Sequence, residues 1–257
     1  MDEIRYGVAA GVATLTIDRP AKKGAMTFAM LAEFTARIAE AGADPAVAVL
    51  VVTGVPGSFC AGIDLADLAS RAPDDRGAGG ERAPGIPPLM ACPKPVVCAV
   101  DGMAVGMGAE LATQADLRLV STRARFRWNF VHRGLVSDTG AGSWLLPRQI
   151  GLSTALALLY TGDDLDAARA LELGFVESVH EPDALTAAAE DLARRIATAS
   201  PFALARTKEL VLSGAGRDMT DQVTATRAAL AECFASEDHA EGVAAFLERR
   251  PARFTGR

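Results

Sequence analysis

The chain reads as an α/β protein in which strands alternate with helices and a purely helical segment follows. Three observations predict this. Two β-branched apolar runs, Val47 to Thr53 and Val96 to Val100, are nearly continuous, which is the pattern of strands buried on both faces. Each run leads into a glycine turn and then a helix-like stretch. The first is Ser58-Phe59-Cys60-Ala61-Gly62-Ile63-Asp64-Leu65, and the second extends from Asp101-Gly102 through Gly106-Met107-Gly108-Ala109-Glu110-Leu111. Beyond Pro182 the apolar residues keep a helical spacing, with no strand-like run.

The elements follow in order. Ala13 to Asp18 alternates apolar residues with threonine, as a half-buried strand does. Thr27 to Ala41 has helical apolar spacing, with Thr27 placed to cap it and Gly42 to stop it. Arg71 to Pro88 is rich in Gly, Pro, Asp and Arg and lacks periodicity. It reads as a loop, either a plain surface insertion or a flap over a pocket beside the first glycine turn. Leu117 to Ser121 is expected to be a further strand. Helices are then expected over Ala184 to Ala199, Phe202 to Leu212, Arg217 to Ala235 and His239 to Glu248.

A length of 257 residues, half of them apolar, is ample for one large core with or without an appendage. The formal charge of −6, without a long basic run, excludes a nucleic-acid surface. No uncharged apolar run approaches the ~20 residues of a membrane span, and the acidic start lacks an apolar signal core. The four cysteines form no C-x-x-C pair or disulfide framework, so a reduced cytoplasmic setting is expected. His132, His180 and His239 are scattered and suggest neither a metal cluster nor a Ser-His or Cys-His pair. A phosphate loop of G-x-x-x-x-G-K type and the elbow G-x-S-x-G are absent. Gly106-Met107-Gly108 lacks the third glycine of a dinucleotide fingerprint. Neither a metal nor a separate cofactor is expected.

What the two glycine turns offer is backbone N–H groups at helix starts. Two such donors aimed at one point make an oxyanion hole. Glu110 lies just inside the second helix, close enough to act on whatever the hole binds. Its alternative role is that of a first-turn acid favoured by the helix dipole.

These turns resemble those of the crotonase superfamily, the enoyl-CoA hydratase/isomerase group. Further fragments match in order: Asp18-Arg19-Pro20-Ala21-Lys22-Lys23-Gly24, Val51-Val52-Thr53-Gly54, Lys94-Pro95-Val96-Val97, Leu146-Pro147-Arg148-Gln149-Ile150-Gly151, Ala170-Leu171-Glu172-Leu173-Gly174-Phe175-Val176, Pro201-Phe202-Ala203 with Lys208, and Glu241 to Pro251. The resemblance implies a spiral of repeated ββα units over residues 1–199. Residues 200–257 would form a helical segment that covers the site and packs between subunits of a trimer or a dimer of trimers. It implies an acyl-CoA substrate, with coenzyme A as part of that substrate. By the same resemblance the hole donors are the N–H groups of Ile63 and Met107, flanked by Ala61, Gly62 and Gly106. Met107 stands where the family has glycine, so its side chain is expected to enter and reshape the acyl pocket. Lys22 and Lys23 match residues that meet the CoA phosphates, and Arg249 and Arg250 sit where a neighbouring subunit's helix helps. Solvated surface charge is the other reading of each. Asp64 matches a common family residue, read more as structural than chemical.

Glu110 matches the first of the two hydratase glutamates. Phe130 falls where the second should be, in Ala124-Arg125-Phe126-Arg127-Trp128-Asn129-Phe130. Phenylalanine cannot exchange protons, which puts ordinary two-carboxylate water addition in doubt. Gly134-Leu135-Val136-Ser137-Asp138-Thr139-Gly140 resembles the segment where dienoyl-CoA isomerases carry a catalytic aspartate, so Asp138 is the candidate second proton carrier. Its alternative role is to cap the following helix. The resulting expectation is an acyl-CoA enzyme that hydrates or isomerises through a stabilised enolate. The alternatives are carbon–carbon bond chemistry through the same enolate and a catalytically weak acyl-CoA-binding relative. Trp128, Phe130 and Trp144 could line the acyl pocket or pack in the core.

Overall fold

The computed structural model describes residues 3–71 and 87–257, so most of the segment read as a loop or flap lies outside the described residues. In chain order the strands are β1 (Ile4–Ala9), β2 (Val12–Ile17), β3 (Val49–Gly54), β4 (Ser58–Cys60), β5 (Val96–Val100), β6 (Met103–Val105), β7 (Leu117–Ser121), β8 (Arg125–Arg127), β9 (Leu165–Asp166) and β10 (Ser178–His180). The larger sheet has the order β1-β2-β3-β5-β7-β10, and a smaller one the order β4-β6-β8-β9. All neighbours pair in parallel except β1 with β2 and β8 with β9.

The strand alternation explains the unbroken apolar runs. Val49 and Val51 of β3, Val97 and Ala99 of β5 and Leu119 of β7 point to one face, where Leu185, Ala189 and Ala193 of the helix Pro182–Ala197 cover them. Leu50, Val52, Val96, Cys98, Val100 and Val120 point to the other, into the main core with Phe34 and Ile38 of the helix Phe28–Ala43. Both faces are therefore dry, and neither can carry a polar period.

Each central strand of the large sheet is followed at once by a short strand of the small one: β3 by β4, β5 by β6, β7 by β8. A helix then follows β4 (Leu65–Ser70) and β6 (Met107–Gln114). This is the ββα repeat that the resemblance implied. It has a direct consequence for the site. Because β4 and β6 pair in parallel, with Cys60 opposite Ala104, the two glycine turns that follow them emerge side by side.

Thr27 caps the first long helix, accepting from Met30 N at 3.2 Å, but Gly42 does not stop it. The helix runs on to Ala43, and Gly42 lies inside it against Pro93, where its missing side chain permits the approach. Helices also span Pro201–Gly214, Met219–Phe234 and Glu237–Glu248. The helix that carries Glu110 is buried along its whole length. At its C-terminal end the buried Arg118 guanidinium donates to Ala115 O at 2.6 Å and to Ala112 O at 3.1 Å, a carbonyl that also accepts from Ala115 N at 3.3 Å.

Candidate active site

Gly62 and Gly106, which precede Ile63 and Met107, both adopt positive φ, +98° and +54°, a turn conformation that glycine permits. The turns are close: a methyl group on Gly62 would stand 3.6 Å from the Met107 nitrogen and 2.9 Å from Val105 O. Ile63 is bracketed by Met26 N donating to Gly62 O and Asp64 N donating to Met26 O, both at 2.8 Å. Its own N–H has no hydrogen-bond acceptor among the described residues, and neither has that of Met107, the first residue of its helix. Thus the two donors assigned from the sequence are adjacent and uncommitted. The N–H groups beside them are used, Ala61 N on Lys23 O at 3.0 Å and Gly106 N on Arg127 O at 2.8 Å.

The Met107 side chain differs from expectation. It is buried in the main core cluster rather than standing in an open pocket, because the first turn of this helix faces the interior. The residue leaves its N–H without an acceptor among the described residues and packs its thioether in the core.

Glu110 is fully buried. Its Oε2 accepts from the Thr139 hydroxyl and from Gly142 N at 3.1 Å. Its Oε1 makes no well-formed hydrogen bond among the described residues, but the Ser137 hydroxyl lies beside it and favours the ionised form. Gly142 is required by this approach: a methyl group there would stand 2.3 Å from Glu110 Oε1 and 2.5 Å from Ser137 Oγ. Burial pushes the Glu110 carboxyl above the usual range, the Thr139, Gly142 and Ser137 donors oppose that, and the Asp138 charge adds to it.

Asp138 is exposed and close enough for its charge to act on Glu110. The next helical turn is a π-helix, Ala141–Leu145, whose N-cap is Gly140, without a side-chain cap. Phe130 is half-buried, and its ring edge, with Asn129 Oδ1, borders Gly106 at 3.9 Å from where a methyl group would lie.

Asp64 is engaged locally. It caps the Leu65–Ser70 helix, accepting from Ala66 N at 2.9 Å and Asp67 N at 3.2 Å, and pairs with Arg19 at 2.8 Å. The Arg19 hydrogen bond holds its carboxyl below the ordinary value. Lys22 and Lys23 are exposed on the turn that hydrogen-bonds to Ala61, so the basic residues stand next to the first donor turn. Arg249 is exposed, and Arg250 is occupied by Glu241 and Glu248, each at 2.6 Å.

Trp128 packs in the core against Phe126 and Phe175. Trp144 lies on the wall of a largely apolar cleft of about 560 Å³ that also includes Met90, Cys92, Thr139, Lys208 and Leu212. Among the described residues no group of three or more His, Cys, Asp or Glu side chains could hold a metal ion, and no helix is long and apolar enough to cross a membrane. Sequence reasoning missed Thr139, Ser137, Gly142 and Gln114. Gln114 carried a signal, since it lies four residues after Glu110 on the same helical face.

The chain matches the family model described as enoyl-CoA hydratase/isomerase over residues 7–257. It is 36% identical to the 1,2-epoxyphenylacetyl-CoA isomerase of Escherichia coli K12, covering 100% of both chains. It is 35% identical to a probable enoyl-CoA hydratase of Rhodobacter capsulatus, covering 99% of this chain and 98% of that one. The crystal structure of an enoyl-CoA hydratase from Bacillus anthracis superposes with a TM-score of 0.91 at 26% identity, covering 99% of this chain and 100% of that one. One from Mycobacterium tuberculosis H37Rv superposes at 0.89 with 35% identity, covering 100% of each. By its repeated ββα units, its paired donor turns and these full-length matches, the chain belongs to the enoyl-CoA hydratase/isomerase family.

Proposed function

We propose that this protein is an acyl-CoA enzyme that shifts protons on an enoyl thioester, acting as a double-bond isomerase rather than a dedicated hydratase. The observation that carries the reading is the asymmetry around the hole. One carboxylate, Glu110, is sealed beside two uncommitted N–H donors, while the ring of Phe130 occupies the border where a second carboxylate is expected.

In this mechanism the thioester oxygen accepts from Ile63 N–H and Met107 N–H. Glu110 Oε1 takes a proton from the carbon next to the carbonyl, and the electron pair moves into an enolate whose charge the two donors stabilise. For a 3-enoyl thioester the double bond then moves to the 2,3 position as a proton is added to carbon 4. Asp138 is the proposed donor of that proton. Being exposed, it can reload from solvent while buried Glu110 releases its own proton, so one proton leaves and one enters with no change of mass. The reading needs no metal or separate cofactor. Coenzyme A is part of the substrate; exposed Lys22 and Lys23 are the proposed contacts for its phosphates, and the apolar cleft beside Trp144 suits an acyl group. The isomerase and hydratase names among the relatives support this class of chemistry.

A trimer or a dimer of trimers is part of the proposal. It is supported by large apolar side chains left open on the C-terminal helices, among them Phe246, Leu247 and Met219. A panel of enoyl-CoA thioesters with mass-spectrometric products tests the reaction. Products of unchanged mass with an altered absorbance are expected, together with a poor rate of hydration on crotonyl-CoA. A gain of one water as the main product at a rate typical of hydratases would overturn the reading. In the same panel Asp138→Asn should lose isomerisation steeply; a near-wild-type rate would remove Asp138 from the mechanism.

A further inference from the structure

The Glu110 carboxylate is held by a chain of contacts to which the sequence reading assigned no role. Thr139 Oγ1 accepts from Ala141 N at 3.2 Å and from Gln114 Nε2 at 3.4 Å. With its accepting side engaged by both, its single proton is directed to Glu110 Oε2. Gly142 N–H, in the first turn of the π-helix, meets the same oxygen at 3.1 Å. Such single-turn π segments recur at functional sites. Oε2 is therefore doubly held, whereas Oε1 makes no well-formed bond and has only the Ser137 hydroxyl beside it.

We propose that Thr139 is a positioning residue: its hydroxyl, oriented by Ala141 N–H and the Gln114 amide, fixes Glu110 by Oε2 so that Oε1 is the oxygen that exchanges protons. The proposal deepens the reading of Glu110 as the base and rests on it. Its physical content is a tug on one carboxyl. Burial and the neighbouring Asp138 charge favour the protonated form, and a donor to the ionised form opposes them. Removing that donor must make Glu110 harder to ionise. A base that must be ionised then works only at higher pH, so the acid limb of the rate profile moves upward.

The test compares Thr139→Val, which keeps the branched shape but loses the hydroxyl, with Thr139→Ser, which restores it. Thr139→Ala serves as a second hydroxyl-free variant should valine fail to pack. Gln114→Leu leaves the hydroxyl but slackens its orientation. Glu110 is titrated directly, without substrate, by infrared difference against Glu110→Gln, and the pH profile of kcat/KM is recorded beside it. The expected result is a Glu110 midpoint higher by about one to two pH units in the Val and Ala variants, corresponding to one hydrogen bond to a charged group. The shift should be smaller in Gln114→Leu and nearly absent in Thr139→Ser, and the acid limb should move with the midpoint. Folded Thr139→Val or Thr139→Ala protein whose Glu110 titrates as in the wild type would overturn the proposal. A midpoint that moves while the acid limb stays fixed would uphold the Thr139 contact and reject Glu110 as the base.

Discussion

Glu110→Gln is expected to lose about 10²–10⁴-fold in turnover, the range for removing a positioned acid/base, while keeping its fold and its affinity for acyl-CoA. The amide fits the same place. Its oxygen can accept from Thr139 and Gly142 N–H as Oε2 does, and its NH₂ can donate to Ser137 Oγ beside it. The same substitution is expected to stabilise the protein. The carboxyl of Glu110 is raised by burial in the folded chain, so on unfolding it becomes the stronger acid. As pH rises from the ordinary glutamate range through the folded value, the unfolded chain releases its proton first and wild-type stability falls. Glu110→Gln escapes this loss. Its melting temperature should match the wild type in acid and exceed it at neutral pH. A variant within twofold of wild-type turnover would remove Glu110 from the mechanism.

Met107→Pro carries the second large effect. Proline is tolerated at the first position of a helix, but it has no N–H, so the variant should lose about 10²–10³-fold through the missing hole donor. It also empties part of the core, since the Met107 side chain is buried there. Met107→Ala separates the two effects. It makes the same kind of cavity, at about 2–5 kcal/mol of stability, and keeps the N–H. The alanine variant should be less stable but active, and the proline variant inactive at temperatures where both are folded. Equal turnover in the two would place the oxyanion elsewhere.

The fold was legible where chain length and period gave a signal. The runs around Val49–Gly54 and Val96–Val100 had to be strands covered on both sides, and the helical tail followed its apolar spacing. The small sheet was not legible: β4, β6 and β8 have three residues each, too few to show alternation. β1 escaped because most of its residues are exposed or half-exposed, so it carries little apolar pattern. In the site, the glycine turns and Glu110 were readable because helix starts and local sequence define them. Thr139 and Gly142 were not, since their role depends on a segment about thirty residues away folding back onto the Glu110 helix. The burial of Met107 was missed for a related reason. A turn shows where an N–H can point, whereas the direction of the side chain is set by what packs on the helix.

The central claim is that Glu110 removes a proton from the carbon next to a thioester carbonyl held by Ile63 and Met107. A saturated acyl-CoA, which can be neither hydrated nor isomerised, isolates that step. Incubated with the enzyme in deuterated water and followed by mass spectrometry, it should gain deuterium at that carbon with the wild type and only at the buffer rate with Glu110→Gln. Exchange at the buffer rate with the wild type, or equal exchange with both proteins, would contradict the account.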